Sequence, residues 1–353
     1  MEQQPATHQE TVLPFTFTGK ASEYFSIWIV NIALTIVTLG IYSAWAKVRK
    51  MQYLYRNTSL AGSSFDYHGN PLAILKGRGI ALAALIAFQV SWQVSPIIGI
   101  ALFLLMAALF PILIKRSLQF KLFNSSYRGL RFGFDGSNSG AYRVFLWLTA
   151  LASLVGPFWP YAHQQIKKYQ HENSRYGQAK FSFWATSGQY YKIYLIAGLI
   201  GIVALIVFGA ILSGLFFQAM SLLEGGVESR HAVVIPFIFL ILFFVIYQMI
   251  VGPFIRARLQ NLVWNNTKLG EHSFASDVSA RKLFFITFTN FTLIILTLGL
   301  YKPFATIRLL HYRLETMGFV PHGSIEAFLA GQAQQQSATG EETAEMFDVD
   351  ISF

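Results

Sequence analysis

There is no cysteine among the 353 residues. Disulfides, thiolate metal sites and cysteine nucleophiles are excluded together. Charge is scarce: 12% of the residues are Asp, Glu, Lys or Arg, against roughly 25% in a soluble domain. The eight histidines, His8, His68, His163, His171, His231, His272, His311 and His322, are dispersed, and none forms an HExxH or a two-turn pair. No metal and no cofactor is therefore expected. No glycine loop of the G-x-x-x-x-G-K-[ST] type occurs, and Gly136-Ser137-Asn138-Ser139-Gly140 has Asn138 where a nucleophile elbow needs serine. With no Ser/His/acid arrangement either, the chain is expected not to be an enzyme. No charged residue falls in the middle of a long apolar run, so a proton relay or voltage sensor lacks support. The first thirteen residues have no basic start and no short apolar core, and no cleaved signal peptide is expected.

Apolar residues are what the chain has in excess: 54% are hydrophobic and 16% aromatic. Long runs without charge point to membrane spans. In that setting the formal charge of +10 speaks for cytoplasmic loops and anionic lipid rather than for nucleic acid.

The apolar runs are ordered by an internal repeat. Thr38-Leu39-Gly40-Ile41-Tyr42-Ser43-Ala44-Trp45-Ala46-Lys47-Val48-Arg49 returns as Thr297-Leu298-Gly299-Leu300-Tyr301-Lys302-Pro303-Phe304-Ala305-Thr306-Ile307-Arg308. Between them, Asn57, Asn124, Asn173 and Asn266 act as anchors. Eight residues after each comes Phe65, Phe132, Phe181 or Phe274; eight before three of them comes Arg49, Arg116 or Arg258. The remaining copy has Gln165, near Lys167 and Lys168, and in the last copy Thr316 takes the anchor, with Arg308 at the same offset. Self-similarity of this kind governs the whole fold. The units run over about 14–63, 64–130, 131–179, 180–272 and 273–325, after an N-terminal tail, 1–13. Residues 326–353 are Gln-, Ala- and acid-rich, too polar to bury a core, and are expected to be a disordered tail.

Within units, Phe15/Phe17, Phe65/Tyr67, Phe132/Phe134 and Phe181/Phe183 alternate with small or polar residues and predict short strands. The expected fold is an all-α membrane bundle of five helical hairpins, two full-length and three short or re-entrant, linked by these β segments. The alternative is a bundle of seven spans. Hairpins put 26 of the 27 Lys and Arg on one face, with Arg230 opposite and the Glu224–Arg230 loop outside; seven spans split them 16 to 11. Charge therefore favours hairpins, with both termini cytoplasmic.

Phe15-Thr16-Phe17-Thr18-Gly19, the Thr38–Arg49 stretch, Phe65-Asp66-Tyr67-His68-Gly69 and Ile74-Leu75-Lys76-Gly77-Arg78 resemble the YjgN family of bacterial inner-membrane proteins. The resemblance covers roughly residues 14–325, and the acidic end at Asp348-Val349-Asp350-Ile351 is also family-like. It implies a multi-pass protein of the bacterial cytoplasmic membrane and brings no catalytic or binding residue with it.

Candidate sites therefore come from the residues alone. Asn31 and Asn290 occupy equivalent places in apolar arms. They are either intramembrane ligand contacts or interhelical glue, the latter worth roughly 0.6–2 kcal/mol per contact. Arg49, Arg116, Arg258 and Arg308 recur at one offset and are either topology signals or contacts for anionic lipid headgroups. Asn57-Thr58-Ser59, Asn124-Ser125-Ser126 and Asn265-Asn266-Thr267 fit the glycosylation pattern, but helix C-capping explains them better. Two functions follow: a small-molecule or lipid carrier or lipid-handling protein, or a non-transporting membrane scaffold. Membrane lipids are the expected partners. A polar cavity between units two and four would mark the first; a filled apolar interior would mark the second.

Overall fold

The computed structural model describes residues 12–224 and 230–339. The chain alternates strands with helix pairs. The first segment is β1 (Leu13–Phe17), α1 (Ala21–Val37), α2 (Ser43–Arg56) and β2 (Thr58–Leu60). The second is β3 (Ser63–Tyr67), α3 (Pro71–Val94), α4 (Pro96–Phe123) and β4 (Ser125–Tyr127). The third opens with β5 (Leu130–Phe134) and α5 (Asn138–Ala141). A π-helical stretch over Tyr142–Leu148 follows, then α6 (Thr149–Leu154), α7 (Trp159–Glu172) and β6 (Ser174–Tyr176). The fourth is β7 (Ala179–Phe183), α8 (Ser187–Glu224), α9 (Arg230–Asn265) and β8 (Thr267–Leu269). The fifth is β9 (His272–Ser276), α10 (Ala280–Leu296), α11 (Lys302–Glu315) and β10 (Met317–Val320), followed by α12 (Ile325–Thr339).

All ten strands close into one antiparallel barrel, with β1 paired to β2 on one side and to β10 on the other. Closure removes every sheet edge, which is how strands of three to five residues satisfy their backbone groups. Within each segment the two strands pair, and the registers are equivalent: Phe15↔Leu60, Phe65↔Tyr127, Phe132↔Tyr176, Phe181↔Leu269 and Phe274↔Phe319. These side chains fill the barrel. Phe65 stacks between Phe15 and Phe132 at 6.2 and 6.5 Å, and Phe181 stacks on Phe274 at 6.2 Å. Tyr127 and Tyr176, buried among them, donate their hydroxyls to the carbonyls of Leu60 and Tyr127 at 2.6 and 2.9 Å.

Tight turns join the segments. Ala61-Gly62 and Arg128-Gly129 have positive φ at both central residues, the twist-matched hairpin turn. Where the chain leaves a strand for a helix, Gly69 and Gly136 are pressed against aromatic rings. A Cβ there would sit 2.6 Å from Tyr67 and 2.5 Å from Phe134.

The all-α expectation is corrected by this barrel. The linking β segments are present, but each pairs on both sides, and together they form the centre of the fold. The seven-span alternative fails for the same reason. β1 and β2, which bracket α1 and α2, are hydrogen-bonded neighbours, so that helix pair ends beside its start. The other four pairs do likewise. The helices leave one end of the barrel and the tight turns lie at the other. Four helices are long and apolar enough to cross a membrane: Pro71–Val94, Pro96–Phe123, Ser187–Ile211 and Leu240–Asn265. Their outward residues, Ile80, Leu104, Leu199 and Leu242 among them, are exposed, as lipid-facing residues are. Helices pack in a ring: α2 on α3, α4 on α5 and the π stretch, α7 on α8, α9 on α10, and α11 on α1.

The tail also departs from expectation. Its first part is α12, whose Ile325, Phe328 and Leu329 pack against the barrel core. Gln332 Oε1 accepts from the amides of Gln178 and Ala179 at 2.7 and 2.9 Å, at the turn end. Residues 1–11, 225–229 and 340–353, which hold most of the N-terminal tail, the loop expected outside and most of the acidic residues of the tail, lie outside the described residues.

Candidate functional site

The second helix of each segment, α2, α4, α7, α9 or α11, runs down onto the barrel and ends at an anchor residue. Asn57, Asn124, Asn173 and Asn266 each donate Nδ2 to the carbonyl four residues back, at 2.8 Å. Thr316 does the same with its hydroxyl at 3.1 Å. The anchors are thus helix caps, which accounts for the glycosylation-like triplets.

Counting back from the cap sorts the contacts of each helix. Residues nine or five before it touch the next segment: Gln164 Nε2 donates to Ala185 O at 2.9 Å, and Asn261 Nδ2 to Val278 O at 3.1 Å. The residue four before it touches the same segment's own start. Tyr53 and Tyr169 donate to Lys20 O and Ser137 O at 2.9 Å, and Tyr312 to Ser279 O at 3.3 Å. A further set of residues, ten, six or three before the cap, includes charged side chains.

The sequence-predicted arginines, eight before the cap, make separate contacts. Arg49 donates to Tyr42 Oη at 3.1 Å, Arg116 is half-buried, and Arg258 lies over the Phe254 ring at 5.8 Å. Arg308 reaches Thr289 Oγ1 at 2.8 Å and Asn290 Oδ1 at 3.3 Å. So one predicted arginine and one predicted asparagine meet. Asn290 also donates to Ala305 O at 3.3 Å. Asn31 is equally buried, yet its Oδ1 has no partner.

That set holds cations that column-by-column reading of the sequence missed. It carries Lys47 on α2, Lys121 on α4, Lys167 on α7, Arg256 on α9 and Arg313 on α11, one cation per segment. Burial, and then the charges of Arg78 and Lys121, lower the Lys47 pKa. Burial and then Lys121 lower that of Lys167; burial and then Arg256 lower that of Arg313. Arg313 Nε donates to Gln260 Oε1 at 2.5 Å, and Gln260 Nε2 to Arg313 O at 3.2 Å, tying α11 to α9. The signal in sequence was helical spacing, since offsets of ten, six and three share a face even though they share no column.

Between α8 and α9 lies a cavity of about 340 Å³, lined by Val203, Val207, Phe208, Phe243, Tyr247 and Val251 among others, all apolar in character. On α9 the line Phe243, Tyr247, Val251, Phe254, Arg258 advances by three or four residues, so the cavity and the arginine lie on one stripe.

Four helices long and apolar enough to cross a membrane, joined to a filled ten-strand barrel, define a membrane protein. The family described as "Bacterial protein of unknown function (DUF898)" matches residues 12–346, and the chain belongs to it. Among its curated relatives, the inner membrane protein YjgN of Salmonella typhimurium is 34% identical over 139 residues, 38% of this chain and 34% of that protein. Inner membrane protein YjgN of Escherichia coli K12 is 32% identical over 147 residues, 40% of this chain and 35% of that protein. The match thus spans about a third of each relative. The resemblance to the YjgN family read from the sequence is borne out. No solved structure matches the chain.

Proposed function

We propose that the chain is a lipid-handling protein of the bacterial cytoplasmic membrane that holds an anionic phospholipid between α8 and α9. Its acyl chain fills the apolar cavity and its phosphate meets Arg258; the observation that carries this is the single stripe from Phe243 to Arg258. Arg49, Arg116 and Arg308 meet further headgroups from the other segments. The helix pairs lie in the bilayer as five copies of one unit, and the barrel and both termini are cytoplasmic. The equivalent strand registers and caps support the repeat. The orientation is supported by the excess of Lys and Arg at the barrel end.

Two variants test it: Arg258→Gln removes the charge, and Ala204→Phe fills the cavity. Each lowers the phosphatidylglycerol that co-purifies with the protein, read by native mass spectrometry. Unchanged retention in both sinks the reading. The filled barrel favours the second reading, a non-transporting scaffold, over a carrier that passes anything along the axis; unchanged retention would leave the scaffold standing.

A further inference from the structure

We propose that the turns at the tips of two short helix pairs, residues 38–43 and 297–302, are twin knuckles that enter the acyl chains of the bilayer leaflet nearest the barrel and stop there.

The two turns share one build. Helices α1 and α10 each end in a Schellman cap. Gly40 N donates to Thr35 O at 2.7 Å and Leu39 N to Ile36 O at 3.1 Å; Gly299 N donates to Ile294 O at 2.7 Å and Leu298 N to Ile295 O at 3.0 Å. The remaining amides are paired as well. Thr38 N donates to Leu34 O, Ile41 N to Thr38 O and Ser43 N to Gly40 O, and the Thr38 hydroxyl accepts from Tyr42 N at 2.9 Å. The copy repeats each bond, down to Thr297 Oγ1 accepting from Tyr301 N at 3.0 Å. Every amide from 38 to 43 and from 297 to 302 is therefore satisfied without water. What the turns leave open is apolar. Ile36, Val37, Leu39 and Ile41 are exposed, as are Ile295, Leu296, Leu298 and Leu300; Leu39 and Leu298 reach 94% and 95%. These two leucines also hold positive φ, 50° and 48°, at the cap position that glycine or asparagine normally takes. A turn facing water gains nothing from a bare leucine in that conformation, and the chain has it twice.

Lipid is the occupant that these features fit. Hydrocarbon offers no hydrogen bonds, so only a turn with its amides already paired can enter it. A protein partner would cover the leucines but could also bond open amides, and would not require them paired. The apolar surface continues that of the four long helices, which leave the barrel at the same end. Depth is bounded from behind. Lys302 stands two residues after Leu300 and is exposed, and at the equivalent place Ser43 Oγ accepts from Arg78 Nη1. A cation behind each tip belongs with lipid phosphate, which limits entry to ~5–10 Å, as for helices held at the interface. At ~1.5 Å per residue the 17 residues of α1 or α10 reach ~25 Å, against ~36 Å for the 24 residues of α3. The two pairs are neighbours, with Phe25 5.6 Å from Phe304, so the knuckles enter side by side. The inference rests on the helix pairs lying in the bilayer, not on a lipid held at Arg258.

The chain has no cysteine, so single spin labels on the full chain in proteoliposomes test this. Labels go on Leu39→Cys and Leu298→Cys, with Ala61→Cys at the turn end of the barrel and Leu104→Cys in α4 as references. Collisions with dissolved oxygen mark hydrocarbon, and collisions with a water-soluble nickel complex mark water. The oxygen-to-nickel ratio should be severalfold higher at Leu39 and Leu298 than at Ala61, and lower than at Leu104. A ratio like that at Ala61 puts the knuckles in water. Few collisions with either reagent put them against protein, and a ratio equal to that at Leu104 takes them to the middle of the bilayer. Each of these would overturn the proposal. If Leu104 also reads as water, the placement of the helix pairs in the bilayer fails with it; if Leu104 reads as hydrocarbon, only the knuckles fail. A second variant, Leu39→Asn with Leu298→Asn, separates lipid from water by the sign of its effect. Asparagine suits the positive φ, so in water it would raise the melting temperature, whereas in acyl chains its amide lowers it. A rise, or no change, would also overturn the proposal.

Discussion

Asn31 and Asn290 are equivalent in sequence and almost equally buried, at 7% and 6% exposure, yet replacing them with leucine should act in opposite directions. Asn290 donates to Ala305 O and accepts from Arg308. Polar contacts between membrane helices are worth roughly 0.6–2 kcal/mol, so Asn290→Leu should cost about 1–2 kcal/mol. Asn31 Oδ1 is buried with no partner because Arg49, the counterpart of Arg308, donates to Tyr42 instead. A buried acceptor left unpaired costs ~1–3 kcal/mol, and leucine has nearly the same shape. Asn31→Leu should therefore stabilise by about 1 kcal/mol. At ~2–4 °C per kcal/mol for a large domain, the two variants should melt more than about 4 °C apart, on either side of the wild type. Tryptophan fluorescence melting of the purified protein in nanodiscs measures this. Shifts of the same sign would refute the reasoning, because the two arginine rotamers would then have no energetic consequence.

Four further outcomes are expected. Single cysteines at Ala61, Arg128, Gln178 and Glu271, all at the turn end of the barrel, should be protected together from an impermeant thiol reagent in intact cells; labelling of one alone would break the common orientation. Gly136→Ala should destabilise by about 1–3 kcal/mol, since its Cβ would collide with Phe134 and Tyr169, whereas Gly79→Ala meets nothing and should be tolerated, by the same melting assay. Phe328→Ala with Gln332→Ala should release α12 and expose residues 325–339 to limited proteolysis, while the barrel and its helices stay resistant. The His171 pKa is lowered to about 4, first by burial and then by Lys167. A depressed pKa makes the neutral ring a source of stability that is full above the unfolded value of about 6.5 and is lost as the pH falls toward 4. His171→Phe should lessen the fall in melting temperature across that window, with His163, likewise lowered to about 4, supplying the remainder.

Much of this was legible in the chain. The Asn anchors marked helix ends, and each Phe eight residues later marked a ring inside the barrel. Spacing reveals local structure well, because a cap or an alternating strand is decided within a few residues. Closure was not legible. A three-residue strand such as Thr58–Leu60 has too few residues to show a period, and its pairing with β1 joins residues more than forty apart. The cations Lys47, Lys121 and Lys167 were hidden because they stand at different offsets from the cap. Glu326 and the glutamines after it looked like a tail because composition outweighed pattern; Ile325, Phe328 and Leu329 already formed a helical stripe.

The pairing of β1 with β10 also sets an order of events. As the chain leaves the ribosome, the first four helix pairs are made before Met317–Val320 exists, and until then β1 and β9 each present an unpaired edge. Every nascent or truncated molecule therefore carries two sticky strand edges that the finished one lacks.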